Sequence, residues 1–303
     1  MLSILLPEYN YDCTQLVGQL AQQCIQEGIS FEIIVMDDAS KQFKNENRAI
    51  NALPACRFVE ENENKGIAKT RNKLAEMATY PWLLLLDCDL EVLDSLFIRR
   101  YLDHLDEAQV LIGSIVYQTE RPPIEQRLRW EYGRKRESLP FAIRSQQPWK
   151  SMSTPNILMH KSVHEKVPFD EAVIGYGHED SCWSYELRKQ GFTIKHIDNP
   201  LMHKGLDLNH VFLQKSLEAT SKYTTPPFNQ NNALIQQIRL FKVYERLRKL
   251  HLDGLVGWLQ NRTQKWLRKN LAGPKPSLML FDFFRLGYLC RLVKFVEARK
   301  HSS

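Results

Sequence analysis

LLLLDCDLEV, residues Leu83–Val92, opens on four leucines and breaks into Asp87-Cys88-Asp89. An unbroken apolar run, rather than an alternating one, is the mark of a strand covered on both faces. Carboxylates at its end stand where open α/β sheets take ligands, outside the carboxyl ends of the strands. Two upstream runs finish the same way. Leu2–Leu6 (LSILL) stops at Pro7 and leads into PEYN (Pro7–Asn10), and Phe31–Met36 (FEIIVM) leads into DDAS (Asp37–Ser40). Between the strands, Thr14–Gln26 carries Leu16, Val17, Leu20 and Cys24 at helical spacing, while Ile67–Ala78 and Ser95–Leu105 also read as helices. Arg57–Glu60 is a weaker strand and Trp82–Leu86 the fourth. This rhythm predicts an α/β fold, a mixed and mostly parallel sheet with helices on both faces.

The chain has 303 residues, 43% apolar and 25% charged, enough for a sizeable core. Its six cysteines form no CxxC pair, which argues against a zinc knuckle or a disulfide framework and fits a reducing compartment. MLSILLPEYN enters a strand-like run at once, so no signal peptide is expected, and no apolar run approaches the roughly 18 residues of a membrane span. Charge is uneven. Residues 231–303 hold 15 Lys+Arg against four acids, a net of +11, leaving −5 of the chain's +6 to residues 1–230. Such asymmetry suggests two parts with different partners.

Three acidic strand ends on one sheet edge converge on one crevice, although any one of them alone is ordinary turn chemistry. No G-x-G-x-x-G follows the first strand and no P-loop is present, which disfavours a dinucleotide site. Gathered carboxylates repel one another unless a cation or hydrogen-bond donors intervene. A hard divalent ion, Mn2+ or Mg2+, with a phosphorylated ligand resolves this; Asp37 or Asp38 could instead accept hydrogen bonds from a nucleoside.

The ordered set PEYN, DDAS, NKGIAKTRN (Asn64–Asn72) and DCD resembles the nucleotide-sugar-binding half of the family two glycosyltransferases, over about residues 1–205. The resemblance implies a GT-A fold, a Rossmann-like α/β domain. It implies an inverting hexosyl- or N-acetylhexosaminyltransferase of polysaccharide biosynthesis, acting from a UDP-sugar on a glycan or lipid-linked glycan acceptor. Pro7 and Tyr9 would frame the uracil and Asp38 would read its polar edge. Arg71 would lie by the base and phosphates, and Asp87 would bond the ribose. Asn10, Asn64, Gly66 and Cys88 would belong to the same nucleotide-sugar site, with Asn156 near the donor sugar. Asp89 would hold Mn2+ or Mg2+, with His203 completing the metal shell. Glu8 stands where the family usually has Thr or Ser.

The second cluster is VIGYGHEDSCWSYELRKQGF (Val173–Phe192). Glu179 or Asp180 could simply favour the positive end of the helix that follows. Resemblance to the family's acceptor-side acidic motif implies more: Asp180 as general base, with Glu179 and His178 on the acceptor. QRLRW (Gln126–Trp130) fits the Q-x-x-R-W of processive synthases but precedes Asp180 by about fifty residues and reads as chance.

The expected division is a GT-A catalytic domain over 1–205, nucleotide-binding to 110 and acceptor-binding after it, then a helical, basic region over 206–303. Within 231–303, basic helices rich in Trp and Phe suit an anionic membrane surface; packing against the sheet is the alternative. No nucleic-acid motif accompanies the charge, so nucleic acid is not an expected partner. The expected location is cytoplasmic and peripheral at the inner membrane face. A non-catalytic nucleotide-sugar-binding scaffold is the alternative function.

Overall fold

The computed structural model describes residues 1–300. Its apolar runs become strands β1 (Leu2–Glu8), β2 (Phe31–Asp37), β3 (Cys56–Glu60), β4 (Trp82–Leu86), β5 (Leu90–Val92), β6 (Val110–Val116), β7 (Asn156–His160) and β8 (Ile194–His203). They form one sheet in the order β3-β2-β1-β4-β7-β6-β8-β5. The first four are mutually parallel, with Leu2↔Phe31 and Leu2↔Trp82 setting the register. β7 runs antiparallel between β4 and β6, β8 runs parallel to β6, and β5 closes the edge antiparallel to β8. The sheet is therefore mixed, with its parallel half carrying the three acidic strand ends.

β1 is buried along its whole length and outlasts its proline. The reason is geometric. The Glu8 carbonyl accepts from Asp38 N on the β2 side, so its neighbour Pro7 faces the other way. There the ladder with β4 has already ended at Leu5↔Leu85, and the missing N–H leaves no gap.

Leu5, Ile34, Met36, Leu83, Leu85, Ile112, Ile157 and Met159 pack with Leu74 and Ala75 of the Ile67–Met77 helix and with Trp183 and Leu187 of the Glu179–Lys189 helix. Each large side chain so buried contributes about 1.5–3 kcal/mol. Trp183 stacks on Phe169 at 4.9 Å and donates from its indole nitrogen to Val167 O at 2.8 Å, which anchors the second helix.

The chain forms two compact units. The first comprises 1–118, 134–171 and 179–205 and holds the entire sheet; the second comprises 119–133, 172–178 and 206–303. The second unit is helical. Its core is Leu128, Phe212, Leu213, Leu267, Leu271, Phe281 and Phe284. Two long helices, Asp253–Leu271 and Leu278–Lys300, are separated by the Gly273-Pro274-Lys275-Pro276 break. They cross closely: a Cβ on Gly287 would sit 2.2 Å from Gln260 Cβ. No helix among the described residues is long and apolar enough to cross a membrane.

Candidate active site

The three acidic ends meet in the first unit, each held by a different device. Asp38 turns its carboxylate onto the loop before the Ile67–Met77 helix: Oδ1 accepts from Lys65 N at 2.6 Å and Oδ2 from Gly66 N at 2.9 Å, while Asn64 Nδ2 donates to Asp38 O at 3.0 Å. Asp38, Asn64 and Gly66 are thus one bonded group, and Gly66 takes φ +83°, a region that suits glycine. Asn10 staples the neighbouring loop, accepting from Lys41 N at 2.7 Å and Gln42 N at 3.1 Å. Pro7 lies buried inside β1, and Tyr9 beyond it is exposed.

One turn into the Ile67–Met77 helix lies Arg71, only 3% exposed. Its Nη2 donates to Asp87 Oδ1 at 2.9 Å, and its Nη1 lies 3.6 Å from Asp180 Oδ1. The guanidinium also covers the Phe169 ring at 5.4 Å, a ring fixed in turn by Asn72, whose amide bonds both the N–H and the carbonyl of Phe169 at 2.9 Å. The resemblance puts Arg71 by the base and phosphates, and in the fold its guanidinium lies beside the Asp87 and Asp180 carboxylates. Burial pulls its pKa down, but Asp87, Asp180 and Glu179 outweigh that and raise it. Burial pushes the Asp87 carboxyl up, Arg71 opposes this, and Asp89 and Asp180 add to the rise. The four acids and one arginine therefore share one electrostatic environment.

Asp180 is the second residue of the Glu179–Lys189 helix, where negative charge is favoured. Its oxygens nevertheless engage Thr154 as well as Arg71: Thr154 Oγ1 donates to Oδ1, and Thr154 N donates to Oδ2 at 3.3 Å. Thr154 lies in the loop before β7, and nothing in the sequence pattern marks it. Glu179 begins the same helix. His178 falls in the second unit, its ring against Tyr223 at 5.0 Å and Phe228 at 5.4 Å. Burial, then Lys222 and Arg285, push its pKa down to about 3, which keeps the ring neutral.

Asp89 follows β4, and His203 ends β8. Asp89 Oδ2 and His203 Nε2 are 3.5 Å apart, and Tyr117 stacks on the imidazole at 5.1 Å. Gly205 leaves the carboxylate its space: a Cβ there would lie 1.9 Å from Asp89 Oδ2. A carboxylate beside an imidazole is a donor pair suited to Mn2+ and acceptable to Mg2+. No group of three or more His, Cys, Asp or Glu able to hold a metal occurs among the described residues. Two protein donors fit an ion that fills its shell with water and phosphate oxygens. Cys88, between the two aspartates, has its thiol pushed well up by burial, so it stays protonated. Asn156 is buried, its amide engaged by the sheet: Nδ2 donates to Ser114 O at 3.0 Å and Asn199 O at 2.8 Å, and Oδ1 accepts from Tyr101 OH at 2.7 Å.

Glu8 forms a second acid pair. It is 1% exposed and in register with Asp37 across β1 and β2. Oε1 accepts from Tyr11 N at 2.8 Å, and Ser40 Oγ donates to the carboxylate at 3.2 Å. Burial, with Asp37 adding to it, pushes the Glu8 pKa up to about 7. Burial pushes Asp37 up too, but Lys44 at 2.8 Å and Ser40 more than offset it, and Asp37 stays below its ordinary value. Of the two acids, Glu8 is therefore the one that holds its proton to the higher pH. Because its pKa rises from 4.5 unfolded to about 7 folded, the stabilisation it contributes is complete below pH 4.5 and lost as pH climbs through 7. Glu8→Gln keeps the neutral form at every pH. Its unfolding free energy relative to wild type is expected to rise by on the order of 3 kcal/mol between pH 5 and pH 8, read from urea midpoints. Parallel pH slopes for the two proteins would refute the raised Glu8 pKa.

The sequence matches the model of Glycosyl transferase family 2 over residues 3–167, more than half of the chain. Asp180 and His203 lie beyond the matched range. No curated protein sequence matches the chain. Among solved structures it is similar to S. aureus TarS at a TM-score of 0.51 and 16% identity, covering 74% of this chain and 40% of that one. For TarS 1–349 the values are 0.52 and 14%, covering 100% and 92%. Glucosyl-3-phosphoglycerate synthase from Mycobacterium tuberculosis, solved with Mn2+, UDP and glucosyl-3-phosphoglycerate, gives 0.48 and 17%, covering 74% and 79%. The chain spans less than half the length of the longer TarS chain. At these identities the two TarS likenesses speak for the GT-A fold alone.

Proposed function

The chain belongs to Glycosyl transferase family 2, and from that premise we propose that it moves a sugar from a UDP-sugar to a hydroxyl of a glycan or lipid-linked glycan, with inversion. The observation that carries this reading is the single guanidinium of Arg71, bonded to Asp87 at 2.9 Å and 3.6 Å from Asp180. It brings the acid at the end of β4 and the acid of the Glu179–Lys189 helix to one point, as transfer from a bound donor to a bound alcohol requires.

The roles are those that the family resemblance implies. The β1 and β2 loops, with Tyr9 and Asp38, receive the nucleoside, and Asp87 accepts from the ribose. Asp180 takes the proton of the acceptor hydroxyl as its oxygen attacks the anomeric carbon; the bond from that carbon to the diphosphate oxygen breaks, and its electron pair leaves with UDP. Thr154 holds the Asp180 carboxylate in place through two donors. Glu179 orients the acceptor. Asp89 and His203 would hold Mn2+ or Mg2+, which when bound stabilises negative charge on the leaving diphosphate as a Lewis acid.

UDP-sugars with Mn2+ are expected to raise the melting temperature, since a ligand at about 100 times its Kd adds about 2.7 kcal/mol to the native state. UDP release should then follow addition of the matching acceptor. A chain that responds to no UDP-sugar is not this transferase. One that binds donors but releases no UDP on any acceptor is the non-catalytic scaffold instead.

A further inference from the structure

The Asp253–Leu271 helix of the second unit has two unlike sides. Gly257, Gln260, Leu267 and Leu271 are buried. At about 100° per residue the opposite side presents Leu255, Trp258, Leu259, Arg262, Lys265, Trp266 and Lys269 as one stripe. The apolar members are conspicuously open: Leu255 is 52% exposed, Trp258 55% and Trp266 57%. Arg262 lies over the Trp258 ring at 5.8 Å. The stripe contains no acid, and the helix's one acid, Asp253, pairs with Lys294 at 3.7 Å on the buried side. Just before the helix, Leu250 and Leu252 are exposed as well.

We propose that this stripe docks the chain on an anionic lipid surface. Large exposed apolar side chains interleaved with cations suit one environment in particular, the headgroup boundary, where indoles sit at the interface and Lys and Arg meet acidic headgroups. The charge of the surroundings agrees, since residues 231–303 carry a net of +11. A second copy is a poor occupant: two-fold packing through the centre of the stripe would bring Arg262 against its own counterpart, and a parallel pair would do the same to Lys265 and Lys269. No described helix is long and apolar enough to cross a membrane, and the stripe would lie along the lipid surface. This inference does not depend on sugar transfer, and its test reads none.

The full chain is floated with phosphatidylcholine vesicles with and without phosphatidylglycerol. It is expected to rise with the anionic vesicles and to be released by high salt. Arg262→Gln/Lys265→Gln/Lys269→Gln should lose partitioning on the order of 100-fold. Trp258→Ala/Trp266→Ala should lose it as well, and both variants should melt with wild type because the altered side chains face solvent. The charge-matched Lys150→Gln/Lys166→Gln/Lys189→Gln should bind within about two-fold of wild type, since it alters net charge equally but leaves the stripe intact. Equal flotation with both vesicle types, or undiminished flotation of the stripe variants, overturns the proposal. So does a wild-type dimer in sedimentation velocity that the Trp258→Ala/Trp266→Ala variant breaks.

Discussion

Asp180→Asn is expected to cut sugar transfer by about 10²- to 10⁴-fold while UDP-sugar affinity stays within about two-fold of wild type. The substitution is close to isosteric. An amide oxygen at Oδ1 can still accept from Thr154 Oγ1, and only the longer 3.3 Å bond from Thr154 N to Oδ2 is lost to the amide NH2. Arg71 keeps its bond to Asp87, and the donor half is left in place. What is lost is the capacity to receive a proton, which a neutral amide lacks. Turnover and calorimetry on the same preparation separate the two quantities. Full transfer by this variant would assign the base to another residue, Glu179 first among them.

The second large effect is expected at Asp89. Asp89→Ala should remove the Mn2+ dependence of UDP binding and lower turnover by on the order of 100-fold or more, because several kcal/mol of leaving-group stabilisation go with the ion. The backbone is not at risk: Lys204 N donates at 2.9 Å to the Asp89 carbonyl, which alanine retains. The proper comparison is UDP affinity with and without Mn2+. In wild type the ion should strengthen binding, and in the variant the two values should coincide. Undiminished Mn2+-dependent affinity would move the metal away from Asp89 and from its neighbour His203.

Much of this was legible because it depends on local pattern. Continuous apolar runs ending in acids marked β1, β2 and β4 and the edge on which their ends gather, and helical spacing marked the helices between them. Other parts depend on pairing between distant segments. β7 is slotted antiparallel between β4 and β6, and β5 sits at the far edge, because of contacts that no run of residues announces. Segments 119–133 and 172–178 cluster with the helical C-terminal part for the same reason. The Ser95–Leu105 helix is shorter, Phe97–Leu102, and starts late because Asp94 turns the chain first, its Oδ1 accepting from Leu96 N at 2.8 Å. In the site, the acids were visible at strand and helix ends, whereas the groups that aim them were not. Thr154 is an ordinary loop threonine until Asp180 is seen beside it. Glu8 did leave a trace, an acid at the end of a mostly apolar strand, but only the sheet register sets it beside Asp37.

The tight crossing at Gly287 has a mechanical consequence. Gln260 Cβ fills the place a methyl group would need, and Val256 O lies only 3.3 Å from it, so the Asp253–Leu271 helix packs directly on the backbone of its neighbour at this point. That contact and the buried Leu267 and Leu271 together set which way both indoles face. A bulkier residue at that spot would push the two helices apart locally, and the tryptophans would be disturbed though neither had been altered.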